Sequence, residues 1–254
     1  MEIDKVESLM NDVCDNLDAI WKYTNEPESF SKPELKLNFA KQRDHNKTEY
    51  NQKLIRVSEQ EARFCTCAVL EKRNYPWQYS VEYPAENNYF NFSKGMKEMY
   101  VEPAKASDNH RAAQIDLVLL EEGSIAWNIE FKYGNDKDKI AKDILKLLNE
   151  RSNGVFVNIL EKKGTGKSLR VDRENNCLFD KYEEILDEFK NKGLSGKLRW
   201  PENQGDKMIG FVVIVLGSPK QKAYHWCKFV KQDDLRKYNK YDFFPKVDPF
   251  SNRA

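Results

Sequence analysis

IAWNIEFKYG, residues 125–134, alternates between two chemistries. Ile125, Trp127, Ile129, Phe131 and Tyr133 are apolar or aromatic, and Asn128, Glu130 and Lys132 fall between them. Period-two alternation predicts a half-buried β-strand. Glu130 and Lys132 then share one face, because side chains alternate across a strand. Just upstream, QIDLVLL at 114–120 predicts a second strand and EEGS at 121–124 a tight turn, so the two strands form a hairpin.

The turn sets what faces what. With a three-residue EGS turn centred on Gly123, Leu120 opposes Ala126, Val118 opposes Asn128, Asp116 opposes Glu130 and Gln114 opposes Lys132. A two-residue GS turn slips the register by one and sends Asp116 to the other face. In the first register two carboxylates meet directly, which destabilises a sheet. A divalent cation turns that repulsion into binding, and a pair of carboxylates with waters suits Mg²⁺. Lys132 would then project beside the metal, where it orients a water or neutralises charge on a phosphate. The plainer reading makes Glu130 and Lys132 the wet face of a strand. Asp116 resists it, because it shares a face with Val118 and Leu120, a costly place for an unpaired acid.

Outward from the hairpin, the chain alternates helix and strand patterns. Apolar positions in 2–23 recur at helix spacing, and a polar stretch with Pro27 and Pro33 runs on to about residue 48. SEQEARFCTCAVLEK at 58–72 predicts a helix, with Ser58 and Glu61 spaced as a capping box. WQYSVEYPAE and YFNF predict short strands. DKDKIAKDILKLLNE at 136–150 predicts an amphipathic helix, 154–160 a strand, 180–190 a helix and 209–217 a buried strand. The order predicts an α/β fold with a mixed sheet, antiparallel first. It divides into an N-terminal helix with a connector, 1–48, and an α/β domain, 49–254.

The 254 residues carry 42 basic and 41 acidic side chains, a net charge of +1, so whole-chain charge neither announces nor excludes a nucleic-acid partner. Cys14, Cys65, Cys67, Cys177 and Cys227 lack zinc-site spacing and predict thiols in a reducing compartment. The N-terminus does not read as a signal peptide, and FVVIVLG at 211–217 is too short to span a membrane. These features predict a cytoplasmic chain.

Asp116 on one strand, Glu130-Phe131-Lys132 on the next, then an amphipathic helix and another strand resemble the PD-(D/E)xK nuclease superfamily, over about residues 55–160. Ile115 stands where that family usually has Pro. The resemblance implies a restriction-endonuclease-like core and a Mg²⁺-dependent phosphodiesterase, with Mn²⁺ as a substitute. Asp116 and Glu130 would be metal ligands and Lys132 the residue that positions the attacking water. It implies DNA as substrate, a restriction or defence setting, and a homodimer where both strands are cut. Such nucleases often add an acid from the helix before the sheet. Glu61 is the favoured candidate and Glu59 the lesser one. The competing reading keeps the fold as a catalytically silent binding or regulatory module.

Lysines 139, 142 and 146 on the following helix are solvated by default, with Lys142 a candidate phosphate contact. GTGKS at 164–168 lacks the first Gly of a P-loop, because Glu161 stands there. It reads better as a basic loop, either a solvated surface loop or one in which Lys163, Lys167 and Arg170 contact a nucleic-acid backbone.

Overall fold

The computed structural model describes residues 3–41, 55–56, 58–90, 100–103, 113–161, 178–192, 200–201, 205–216, 223–237 and 244–245. In chain order the elements are α1 Ile3–Asn25, β1 Ala40–Lys41, β2 Ile55–Arg56, α2 Glu59–Arg73, β3 Gln78–Pro84, β4 Asn87–Phe90, β5 Tyr100–Pro103, β6 Gln114–Glu121 and β7 Ser124–Tyr133. They continue as α3 Lys137–Asn149, β8 Asn153–Glu161, α4 Leu178–Lys192, β9 Met208–Leu216, β10 Tyr224–Lys231 and α5 Gln232–Lys237. The fold is mixed α/β.

Six strands form the central sheet in the order β10-β9-β8-β7-β6-β3. β3, β6 and β7 run antiparallel, β7-β8 and β8-β9 are parallel, and β10 closes antiparallel on β9. Helices α3 and α4 lie on the two parallel crossovers, as such connections require. Side-chain alternation splits the sheet into two cores. Leu117, Leu119, Ile129, Phe131, Val155, Val157 and Val212 pack with α1 and α2. Phe156, Leu160, Phe211 and Val213 pack with α3 and α4. Helix α1 therefore covers one face of the sheet, with Val6, Leu9, Met10, Val13 and Leu17 fully buried.

The hairpin turn differs from the three-residue expectation. Glu121 pairs with Ser124, so the loop is the two residues Glu122 and Gly123, both with positive φ (50° and 79°). That is the backbone of a tight primed hairpin turn. Leu120 pairs with Ile125 rather than Ala126, and a bulge follows between Leu119 and Leu120. The bulge absorbs one residue, so the register beyond it is Leu119–Trp127, Val118–Asn128 and Leu117–Ile129. The turn alone would have aimed Asp116 at Ile129. The bulge restores the expected register as far as Leu117–Ile129, where the pairing ends; Asp116 and Glu130 are the next residues on the two strands.

Candidate active site

The ladder between β6 and β7 ends at Leu117–Ile129, while the ladder between β7 and β8 runs on to Tyr133–Ile159. A gap opens on the β6 side, and Asp116 fills it. Its Oδ2 accepts a hydrogen bond from the Phe131 N–H at 2.9 Å, taking the place of a ladder carbonyl. Its Oδ1 lies 3.8 Å from Arg63 Nη1 on α2. Burial, the strongest influence, raises the Asp116 pKa, against the Phe131 N–H, which lowers it.

Glu130 lies deeper, with its side chain only 2% exposed. Its Oε1 is 2.5 Å from Lys146 Nζ on α3. Burial holds the Glu130 pKa well above the usual carboxylate range, against the pull of Lys146. Lys146 also donates to the Gln114 carbonyl at 2.9 Å and lies 3.6 Å from Asp143 Oδ1. Lys132, two residues beyond Glu130, is held from two sides, 2.9 Å from Glu59 Oε1 and 2.9 Å from Asp143 Oδ2. Burial alone would lower the Lys132 pKa, but Asp143 and Glu59 outweigh it and raise it.

The paired charges thus form two chains. Glu82, Arg63 and Asp116 make one, with Arg63 Nη2 at 3.3 Å from Glu82 Oε1. Glu59, Lys132, Asp143, Lys146 and Glu130 make the other. They meet around Asp116, which feels Lys146 and Asp143 of the second chain and in turn acts on Glu130. When all are ionised each chain has one more acid than base, and Lys146 is the cation that acts on both Asp116 and Glu130.

Among the expected residues, Asp116, Glu130 and Lys132 come together. The helix acid at the cluster is Glu59 rather than Glu61. Glu59 reaches Lys132, and its Oε1 also accepts from the Tyr133 N–H at 3.2 Å. Glu61 is bound by the Ser58 hydroxyl instead. Ser58 is the N-cap in extended geometry without a side-chain cap bond, so the expected capping box becomes a Ser–Glu contact. Lys142 is half-buried on α3, next to Asp143 in sequence. Lys163, Lys167 and Arg170, and the whole GTGKS segment, lie outside the described residues.

Asp143, Arg63 and Glu82 escaped the sequence reading, and Lys146, expected to be solvated like its neighbours Lys139 and Lys142, is instead buried against Glu130. Asp143 stands three residues after Ile140 and four before Leu147, inside the apolar stripe of α3. Lys146 and the buried Glu150 follow at helix spacing, so a buried polar stripe was written into the helix. Arg63 and Glu82 left no comparable mark. Glu82 adopts φ 51°, a strained value for a residue with a side chain, opposite Asp116 in the gap between Val81–Leu117 and Tyr83–Ile115.

Among the described residues no three His, Cys, Asp or Glu side chains converge as a ready-made metal cage. The donor set still suits a hard cation. Two carboxylates on adjacent strands leave room for water ligands, the usual arrangement for Mg²⁺. Beside them the Lys146 ammonium is met by oxygens of Glu130, Gln114 and Asp143.

No family model matches the chain, and no curated protein does. Among solved structures it is similar to the central domain of yeast acetyl-CoA carboxylase, at 8% identity and a TM-score of 0.30. That match covers 97% of this chain and 36% of the other, so the chain spans about a third of that protein's length. A likeness at that score carries no argument about fold or function.

Proposed function

We propose that the chain is a metal-dependent phosphodiesterase, a nuclease that hydrolyses DNA. The observation that carries the reading is the meeting of Asp116 and Glu130 across the opened end of the hairpin, with Lys132 one step further on the same face. The element order supports it. Helix α2 precedes antiparallel β3, β6 and β7, then α3 crosses to parallel β8. The PD-(D/E)xK resemblance rests on that strand–strand–helix–strand order around the acids. In this reading Asp116 and Glu130 hold Mg²⁺, or Mn²⁺ in its place. The bound metal supplies Lewis-acid stabilisation of charge on phosphorus and a more acidic water.

The chain's own residues do the rest. Lys132 is clamped by Glu59 and Asp143, so its Nζ is fixed without a substrate present. Those carboxylates keep it protonated at neutral pH. Its part is therefore that of a positive charge and hydrogen-bond donor, orienting the water and neutralising developing phosphate charge, rather than a base that takes a proton. Glu59 and Asp143 position that donor. Duplex DNA as substrate, a restriction or defence role, and pairing of two copies to cut both strands belong to the same proposal.

The test incubates wild type and Lys132→Ala with plasmid, linear duplex, single-stranded DNA and RNA, each with Mg²⁺, Mn²⁺ or EDTA. The expected result is metal-dependent cleavage by wild type and a loss of about 10²-fold or more in the variant. Linearised plasmid without a nicked intermediate would mark a paired enzyme. Equal activity in both proteins, or activity in EDTA, overturns the assignment.

One observation favours a second reading, a nuclease-like fold that binds without turnover. Glu130 is buried and already neutralised by Lys146. In that case calorimetric titration of wild type would show no Mg²⁺ or Mn²⁺ binding that depends on Asp116.

A further inference from the structure

The Lys146 ammonium sits where a cation is wanted. Its neighbours are oxygens: Glu130 Oε1 at 2.5 Å, the Gln114 carbonyl at 2.9 Å and Asp143 Oδ1 at 3.6 Å. Lys146 and Glu130 side chains are 6% and 2% exposed, so little water screens the pair. A buried carboxylate that faces a second acid needs a counter-charge, and leaving it without one is strongly unfavourable. Lys132 does not serve, because Glu59 and Asp143 already hold it. Lys146 does.

We propose that Lys146 is a resident counter-cation of the acid pair, and that metal loading is an exchange in which its ammonium leaves Glu130. The inference rests on the metal-dependent reading above and extends it to how the site is kept when no metal is bound. Three features support it. The contact uses a Glu130 carboxylate oxygen that a metal would need, and two cations on one carboxylate repel each other. The departing lysine is not stranded, since the Gln114 carbonyl and Asp143 remain as partners. The lysine is tethered to α3, so the exchange moves a flexible stem and needs no strand to shift. A static tie between α3 and β6 is the competing role, and it makes the opposite prediction about metal affinity.

The experiment titrates the full chain with MnCl₂ and MgCl₂ in a calorimeter, for wild type, Lys146→Met, Lys146→Gln and Asp116→Ala. Removing the competing ammonium raises the fraction of sites open to metal, so both Lys146 variants should bind Mn²⁺ about tenfold tighter or better. Their melting temperature should also rise more than wild type's when Mn²⁺ is added. Circular dichroism checks the fold. Should the Met variant fail to fold, the Gln variant keeps an amide donor for Gln114 and carries the test. A measurement on wild type is independent of both. Acetylation of Lys146 by acetic anhydride, read by peptide mass spectrometry, should rise several-fold when Mn²⁺ is present. Unchanged or weaker affinity in both variants, or unchanged Lys146 acetylation, overturns the exchange. If wild type binds metal through Asp116 while the Lys146 variants match it, only this inference falls. If no protein binds metal, the metal-dependent reading falls with it.

Discussion

At the scale of single residues, the site depends on how each charge is paired. Lys132 has the clearest consequence. Asp143 and Glu59 hold its folded-state pKa above the value of about 10.4 that an unfolded chain would show. Below that value both states carry the proton, and the stabilisation is fully present. Above it the unfolded chain gives up a proton that the folded chain keeps, so stability falls as pH rises. Urea midpoints taken at pH 8 and pH 11 should therefore fall less for Lys132→Met than for wild type; an equal fall would show that Lys132 is not held by its two acids. The sequence disclosed Asp116, Glu130 and Lys132 because strand alternation fixes faces. It favoured Glu61 over Glu59, because both stand in the first turn of α2 and only the approach of that turn to the end of β7, which the sequence does not show, separates them. Thiol chemistry has no part in the described site. Burial pushes the Cys65 thiol far up, Cys67 to about 11 and Cys227 to about 12, so none is a ready nucleophile.

At the scale of elements, a bulge and a close approach decide what the strands can do. The hairpin was legible as two strands and a turn, but the register was reached by a route the sequence does not display. A tight loop that shifts the strands by one is followed by a bulge that shifts them back. Neither Leu119 nor Leu120 differs from its neighbours in kind, so no residue type marks the place. Further along the sheet, β9 was legible from its β-branched run, whereas β10 was not, because Lys228 and Lys231 break its alternation. The pairing of these two strands needs Gly210. A side-chain carbon there would stand 2.3–2.9 Å from the Phe229 ring, its Cα partner in the ladder. The backbone at this glycine is ordinary for a strand, so the constraint is space alone. Gly210→Ala should cost about 1–3 kcal/mol in a urea melt through overpacking. Adding Phe229→Leu should recover part of it. If Gly210→Ala melts like wild type, the ring does not pack against β9 as described.

At the scale of the whole molecule, the N-terminal helix closes the fold. Its periodicity was legible, and it predicted an apolar face, but periodicity reports that a face is buried and not what buries it. Residues 1–48 read as an extension for that reason. In the structure the α1 stripe lies in one core with α2 and with the inner face of β6, β7, β8 and β9. Asp18 adds a specific tie across the chain. It accepts from the Ala223 N–H at 3.0 Å, just before β10, and pairs with Lys22 at 2.9 Å. The face that α1 covers backs the strands whose opposite face carries Glu130 and Lys132, so its packing supports the site without touching it. Two substitutions separate these contributions. Leu17→Ala removes a fully buried side chain and should cost about 2–5 kcal/mol. Asp18→Ala leaves the Ala223 N–H without its acceptor and should cost about 1–3 kcal/mol. Both variants should keep any Asp116-dependent Mn²⁺ affinity under conditions where they remain folded, because neither residue belongs to the charge chains. A loss of stability in Leu17→Ala smaller than about 0.5 kcal/mol would return α1 to the status of an appended segment. A loss of metal affinity at full folding would mean instead that the helix acts on the site through the sheet it covers.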